Sequence, residues 1–436
     1  MRPPRDGLIS RTNHWTAALY RIRGNVYGLA NAPITWQREV CRRLAHLKFT
    51  QHMFDKQLYV KYTDSGEVQA AVLVYVDDFV GVYRQDFPIQ QVYDLFQWGS
   101  RQELEVGKPV TFKGKELTLI EDKHGKINLH ITMKKFIQGL DTAKVIRGRN
   151  TDDHLNEHEQ KELRSVCGCL QWLATQCRPE VAASVSLVPH GAEARVNDLK
   201  SLYGMLDYVK NTPDQGLLIP CVPLNRSSVV VAYSDSSWNN AYKSGSQIGT
   251  LIGITSPEVF EAVSSFVIID WKSSRSPRVC RSTLAAEASA ADEAADRCSY
   301  VNLFLSELLW NTPAHRVGTR LASLHLVDAK SLFDAAISEN PTLNDKRTLV
   351  SIRSLQEQAP LESIRWVPTQ YQFSDGLTKV DAKLRENFSK WLKDPVCIIT
   401  QEALNMHVPK KKYTGESSVL SDSFTVGTCM STEFIP

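Results

Sequence analysis

Two sets of acidic residues are spaced for phosphoryl chemistry. In Val74-Tyr75-Val76-Asp77-Asp78-Phe79 two adjacent acids follow an apolar run. Burying an unpaired charge there would be costly, so the pair needs a cation or a water-exposed turn. Carboxylates in such a place can hold two Mg²⁺ ions about 3.5 to 4 Å apart, one at an attacking oxygen and one at a departing oxygen. Taken alone, the pair also reads as a hairpin tip. The second set is Asp235, Glu287, Asp328 and Asp375, four acids that could serve the same two-ion hydrolysis. Individually each could be a helix cap or a solvated charge, Asp375 above all.

The elements around these acids must bring them to one rim. Helix-spaced Ile34, Val40, Leu44 and Leu47 predict a helix over 34–47. Two runs, 57–62 and 68–75, flank Thr63-Asp64-Ser65-Gly66 as a hairpin, and Asp77-Asp78 tips the next one before Phe79-Val80-Gly81-Val82-Tyr83. A helix is expected at 89–98, strands within 110–131, and a helix opened by Met133. After a polar linker at 147–157, helices are expected near 159–175, 179–187 and 196–209, ended by the turn Thr212-Pro213-Asp214-Gln215-Gly216. From Val229 the expected order is strands at 229–234, 247–254 and 264–271, a helix over 283–309, a strand at 322–327, helices at 330–337 and 346–358, a strand at 363–368 and a short helix from Asp375. Asp235 would end the apolar run Val229-Val230-Val231-Ala232 at a sheet edge. Glu287 would lie in the first turns of a helix capped by Ser282, Asp328 would end the strand Leu324-His325-Leu326-Val327, and Asp375 would open its helix.

At 436 residues the chain has length for two or three domains. A hydrophobic share of 42% with 23% charged residues excludes fibrous and wholly disordered classes. The net charge of +3 is too weak to imply a polyanion partner by itself. Arg2, Arg5, Arg11, Arg21, Arg23, Arg38, Arg42 and Arg43 could form a basic face for a phosphate backbone, or be scattered surface charge. Nine cysteines show neither zinc spacing nor secreted-scaffold density, which points to a reducing compartment. Cys167-Gly168-Cys169 reads as buried small hydrophobes in a helix. No run of about 18 apolar residues suggests a membrane span. Beyond about Pro395 the polar text with Lys410-Lys411-Lys412 reads as a disordered tail.

In this order the motifs resemble copia-type (Ty1/copia) LTR-retrotransposon Pol polyproteins across most of the chain. Tyr27-Gly28-Leu29-Ala30-Asn31-Ala32-Pro33-Ile34-Thr35-Trp36 resembles that family's YGLxxAPxxW motif. Asp55 to Val60 resembles its approach to the catalytic hairpin. Phe112 to Gly114 with Leu129 to Phe136 resembles its primer grip, and Tyr203 to Leu217 its connection. Tyr233-Ser234-Asp235-Ser236-Ser237-Trp238, Ser282-Thr283-Leu284-Ala285-Ala286-Glu287 and Ser374-Asp375-Gly376-Leu377-Thr378-Lys379 resemble the ribonuclease H part. The resemblance implies an α/β (α+β) fold: a partial reverse-transcriptase palm over 1–140, a helical thumb or connection over 141–225, a ribonuclease H-like mixed-sheet domain over 226–395 and a tail over 396–436. It implies Mg²⁺ or Mn²⁺, two per site, held by Asp77 and Asp78 in the polymerase remnant and by Asp235, Glu287, Asp328 and Asp375 in the ribonuclease. Its partners would be RNA:DNA hybrid, template RNA and primer DNA, together with the missing N-terminal polymerase segment if the reading frame extends upstream, with no membrane. The place of action would be a cytoplasmic virus-like particle, the nucleus, or both.

Departures from the family pattern qualify this. The family places its first catalytic aspartate upstream of an M-x-P-P segment, and this sequence opens on Met1-Arg2-Pro3-Pro4. Asp6 is no substitute, because Pro3, Pro4 and Gly7 do not suit a central strand. The expectation is that ribonuclease H cleavage of RNA in hybrids is retained while polymerisation is absent in this chain alone. The alternative is a decayed, inactive remnant that at most binds nucleic acid. Ser237 stands where relatives often carry an acid, and Asp345-Lys346-Arg347-Thr348 replaces a histidine-containing text. Lys272, Ser273 and Arg275 could touch a hybrid backbone or be plain surface. Asp64-Ser65-Gly66 resembles a protease triplet but reads as a hairpin turn. The sequence shows no nucleocapsid knuckle or integrase zinc module.

Overall fold

The computed structural model describes residues 30–144, 146, 148–189 and 191–399, and the backbone of 424–425 and 428–431. The chain is a mixed α/β (α+β) protein that divides into two compact units. One comprises 1–63, 68–102 and 423–436; the other comprises 64–67 and 103–422. The expected arginines from Arg2 to Arg23, Asp6 and the start of the YGLxxAP motif lie outside the described residues.

In the first unit α1 (Ala32–His46) starts with a proline in its first turn and buries Val40 and Leu44. Strands β1 (Thr50–Gln51), β2 (Leu58–Tyr62), β3 (Val68–Tyr75) and β4 (Asp78–Arg84) form an antiparallel meander. Phe424–Thr425 and Thr428–Ser431 pair with β4, and β5 (Ser100–Glu103) follows at the edge. Gly66, at φ +83°, supplies the left-handed residue of the 63–67 turn. Phe79 is fully buried, with Phe96 and Trp98 each 5.1 Å away by ring centroids. These rings explain why the helix expected at 89–98 shortens to α2 (Gln90–Tyr93): the chain leaves the helix to turn Phe96 and Trp98 inward, where aromatic packing outweighs local propensity.

The second unit opens with β6 (Val110–Phe112), β7 (Lys115–Glu121) and β8 (Ile127–Thr132), then α3 (Lys134–Gln138), whose first amides donate to the Glu116 carboxylate at 2.8 and 3.2 Å. Helices α4 (Glu157–Gln176), α5 (Ala182–Ser186) and α6 (Val196–Asn211) follow; a reciprocal Asn156/Glu159 pair caps α4. An unexpected strand, β9 (Leu217–Ile219), then joins β8. Gly216 makes that return possible, since a Cβ there would lie 2.0 Å from the Ile131 carbonyl oxygen.

The site-bearing sheet runs in the order β14-β13-β10-β11-β12-β15. Its strands are β10 (Val229–Ala241), β11 (Gly245–Thr255), β12 (Ser264–Arg275), β13 (Ala322–Val327), β14 (Ile364–Trp366) and β15 (Val396–Cys397). The first three are antiparallel, while β10, β13 and β14 run parallel. β15 pairs with β12 inside the stretch expected to be tail; most of that stretch lies outside the described residues. Helix α7 (Thr283–Trp310) buries Ala286, Ala288, Ala290, Ala291, Ala294 and Ala295, small side chains that let it approach the sheet closely. Helices α8 (Ala314–Val317), α9 (Lys330–Ile337), α10 (Lys346–Gln358) and α11 (Ala382–Trp391) complete the unit. The helices expected as a separate thumb or connection share one core with this sheet: Leu170, Leu173 and Ala174 cluster with Phe266, and the Trp271 indole donates to the Ala174 carbonyl at 2.7 Å.

A candidate two-ion carboxylate centre

Parallel pairing sets the first two acids side by side. The β10–β13 ladder ends at Tyr233↔Leu326, and two residues further on stand Asp235, within β10, and Asp328, just past the end of β13. Asp235 is not the end of its strand, as the sequence suggested. β10 continues to Ala241 because its other edge stays paired with β11 through Ser237↔Gln247.

Asp375 arrives from a different direction. It does not open an α-helix; it sits inside the 3₁₀ turn Phe373–Leu377, and the next helix is capped by Asp381 instead. Two features hold that turn on the sheet. Gln372 donates to the Ser234 carbonyl at 3.0 Å and accepts from the Ser374 hydroxyl at 2.7 Å. Gly249, opposite Asp235 in the ladder, leaves the space: a Cβ there would meet the Ser374 carbonyl at 2.8 Å and Leu377 at 2.9 Å. Gly376 likewise has no room for a Cβ beneath the Phe388 ring, 2.7 Å away.

The result is that ligand oxygens of Asp235, Asp328 and Asp375 all lie within 4.8 Å of one another. Asp235 and Asp375 are buried, at 3% and 4% exposure, and Asp328 is half-buried. Glu287, on the first turns of α7 after the Ser282 cap, adds the fourth charge to the same electrostatic group. Burial, then Asp375 and Glu287, hold the Asp235 carboxyl well above the usual carboxylate range. Burial first, then the Asp328 charge, push Glu287 up to about 8. Asp328 is raised by burial and by Asp375. Asp235, Glu287 and Asp328 each resist ionisation in this crowded group, a tension that a cation would relieve, and oxygen-only donors suit Mg²⁺ or Mn²⁺.

Sequence reasoning missed the neutral and basic partners. The Thr378 hydroxyl donates to Asp235 Oδ2, and the Thr369 hydroxyl to Asp328 Oδ2 at 3.0 Å. Lys379 Nζ lies 2.8 Å from Asp375 Oδ1 and 3.8 Å from Asp235 Oδ2. Burial alone would lower the Lys379 ammonium, but Asp235, Asp375 and Asp328 together raise it. The signal available was position, since Thr378 and Lys379 stand three and four residues after Asp375, one turn on.

In the other unit, Asp78 begins β4 opposite Tyr75, and the connecting turn is Val76-Asp77. Val76 takes a left-handed φ of 57°, a strained conformation for a β-branched residue, and the Trp36 indole donates to its carbonyl. Burial, then Asp77, raise the Asp78 carboxyl. Among the described residues no third acid, histidine or cysteine joins this pair into a group of three.

Other features singled out in the sequence fall as follows. Arg42 and Arg43 both pair with Glu39 at 2.7 Å, which cuts the basic face expected there. Ser273 turns its hydroxyl inward to the Leu377 carbonyl at 2.6 Å, and Lys272 pairs with Glu293 at 2.6 Å. Cys167 and Cys169 are half-buried free thiols on α4. Asp345 caps α10. Among the described residues no helix is long and apolar enough to cross a membrane.

Comparison with known proteins places these features. The family model described as "Reverse transcriptase (RNA-dependent DNA polymerase)" matches residues 5–96, a stretch that includes Asp77 and Asp78. The chain is 23% identical over 394 residues to the retrovirus-related Pol polyprotein from transposon RE2 of Arabidopsis thaliana, covering 85% of this chain and 25% of that protein. It is 23% identical over 381 residues to the corresponding polyprotein from transposon RE1 of the same plant, covering 82% and 24%. A transposon Ty5-1 protein of Saccharomyces cerevisiae is 26% identical over 215 residues, covering 44% and 65%. The chain thus spans about a quarter of the length of the two plant relatives. The matched stretch and these relatives make the chain similar to copia-type retrotransposon Pol polyproteins, with a reverse transcriptase-like segment over 5–96.

Proposed function

We propose that this chain hydrolyses the RNA strand of RNA:DNA hybrids at the Asp235, Glu287, Asp328 and Asp375 centre, the ribonuclease H part of a retrotransposon polymerase. The observation that carries the reading is the convergence of three aspartates from three separate elements within 4.8 Å, with Glu287 in the same charged group. Two divalent cations, when bound, would activate a water and stabilise the leaving 3′-oxygen. The protein's own work is to hold the four carboxylates in register. Thr378 and Thr369 orient Asp235 and Asp328, and the Gly249 and Gly376 gaps seat the Asp375 turn.

Polymerisation is not assigned to the described residues, because the Asp77–Asp78 hairpin brings two carboxylates together rather than three. Template RNA and primer DNA are then partners of the family's polymerase part, and the cytoplasmic particle or the nucleus is the proposed place of action. The test is Mg²⁺-dependent release of labelled RNA fragments from a hybrid. The reading requires cleavage by the native chain and its loss in Asp235→Asn; no cleavage at any protein concentration would leave a nucleic-acid-binding remnant.

A further inference from the structure

The lysine beside the carboxylates has no place in the hydrolysis just described, yet its position is specific. Lys379 follows Asp375 by one turn, and its ammonium reaches Asp375 Oδ1 at 2.8 Å and Asp235 Oδ2 at 3.8 Å. Among the described residues, the ion pairs made by Asp235 and Asp375 all go to this one group. The two aspartates are almost fully buried, and buried charges require a partner. Thr378 Oγ1 already donates to Asp235 Oδ2, so that oxygen is held on one side by a hydroxyl while the ammonium stands off at ion-pair distance.

The lysine side chain is itself 39% exposed. It lines an open groove of about 520 Å³ together with Ser237, Trp238, Asn239 and Asn240, the residues that continue β10 past Asp235. A flexible four-carbon stem between a buried acid pair and an open groove has two places to put its charge.

We propose that Lys379 is a resident counter-ion: it holds the Asp235–Asp375 pair together while no divalent cation is bound, and it yields that place when one binds, turning its ammonium into the groove. This rests on the two-ion reading above. The ammonium and a divalent cation then compete for the same two carboxylates, so removing the lysine charge makes the ion-free protein less stable and divalent-ion binding tighter. A lysine serving merely as a structural ion pair predicts the first effect without the second.

Mn²⁺ titration by calorimetry, with thermal melting in EDTA and in saturating Mn²⁺, separates these cases without any activity assay. For Lys379→Met, near-isosteric and neutral, the expected result is Mn²⁺ binding about tenfold tighter than in the native chain, a lower melting temperature in EDTA, and recovery of that loss in Mn²⁺. Lys379→Arg keeps the charge and should retain native-like melting in EDTA. The proposal is overturned if Lys379→Met binds Mn²⁺ no more tightly than the native chain, or is unfolded both with and without Mn²⁺. Failure of the underlying two-ion reading looks different: the native chain itself then binds no Mn²⁺.

Discussion

Gly249 faces Asp235 across the β10–β11 ladder, and the space left by its missing side chain is where the turn carrying Asp375 rests. The strand pair thus places one carboxylate directly and admits the second through an absence. Gly249 has an ordinary strand backbone, so its requirement is steric.

Gly249→Ala should therefore act on the site more than on the sheet. The added methyl meets the Ser374 carbonyl and the Leu377 side chain, both inside 3 Å, and must displace the 373–378 turn. Overpacking of this kind costs about 1 to 3 kcal/mol. Chemical denaturation should show that loss, and hybrid cleavage should fall by at least about tenfold; an unchanged cleavage rate would mean that the turn does not set the position of Asp375.

The carboxylate centre also fixes a pH dependence. Glu287, raised to about 8, holds its proton more tightly folded than unfolded, as do Asp235 and Asp328. Glu287 contributes stability that is full below about pH 4.5 and is lost as pH rises through about 8, at most about 5 kcal/mol, and Asp235 and Asp328 act in the same direction. In EDTA the melting temperature should fall across that window. Glu287→Gln should flatten the fall, and Mg²⁺ should raise melting more at pH 8 than at pH 6.

His325 works with the opposite sign. It is buried in β13 and its Nδ1 has no hydrogen-bond partner. Burial lowers its pKa to about 4. Stability from keeping it neutral is present above about pH 6.5 and lost as pH falls towards 4, about 3 kcal/mol in total. His325→Leu should remove this acid-side loss. Denaturation curves at pH 4.5 and 7 for the variant and the native chain check it, and equal acid sensitivity in the two would refute it.

A buried ion pair ties the segment between α4 and α5 to the end of α6. Arg178 and Glu180 are both inaccessible to solvent at 2.5 Å, and Arg178 also donates to the Thr212 carbonyl and hydroxyl at 3.0 and 2.9 Å. Nearby, the Tyr208 and Ser389 hydroxyls share a 2.9 Å hydrogen bond that ties α6 to α11. Arg178→Ala leaves the Glu180 charge buried without a counter-charge, with the Gln215 amide as its remaining donor, and should cost about 3 to 5 kcal/mol. Urea unfolding should show it as one transition shifted for the whole unit. Two separate transitions would mean that the helices fold apart from the sheet.

Much of this was legible in the sequence, and the reasons are local. Val229 to Ala232 is apolar at every position because β10 is buried on both faces, so strand and acid were readable together. The alanine face of α7 and the limits of β13, α9 and α10 followed from periodicity in the same way. What escaped was set by distant contacts. β9 exists through pairing with β8 some 85 residues away in sequence, and α2 is short because Phe96 and Trp98 pack on Phe79. In the candidate site the four acids could be named from their elements, whereas Thr378, Lys379 and Gly249 could not. Their roles depend on a close approach of β11 to the Asp375 turn, which has no periodic signature.

The most direct test of the central claim is single-turnover cleavage of an end-labelled RNA strand in an RNA:DNA hybrid, run for the native chain, Asp235→Asn and Asp375→Asn with Mg²⁺ and with EDTA. The account predicts discrete RNA fragments from the native chain with Mg²⁺ alone, and at least about a hundredfold loss in either variant. Cleavage that persists in EDTA or survives Asp235→Asn, or a folded, hybrid-binding native chain that releases no fragment, would contradict it.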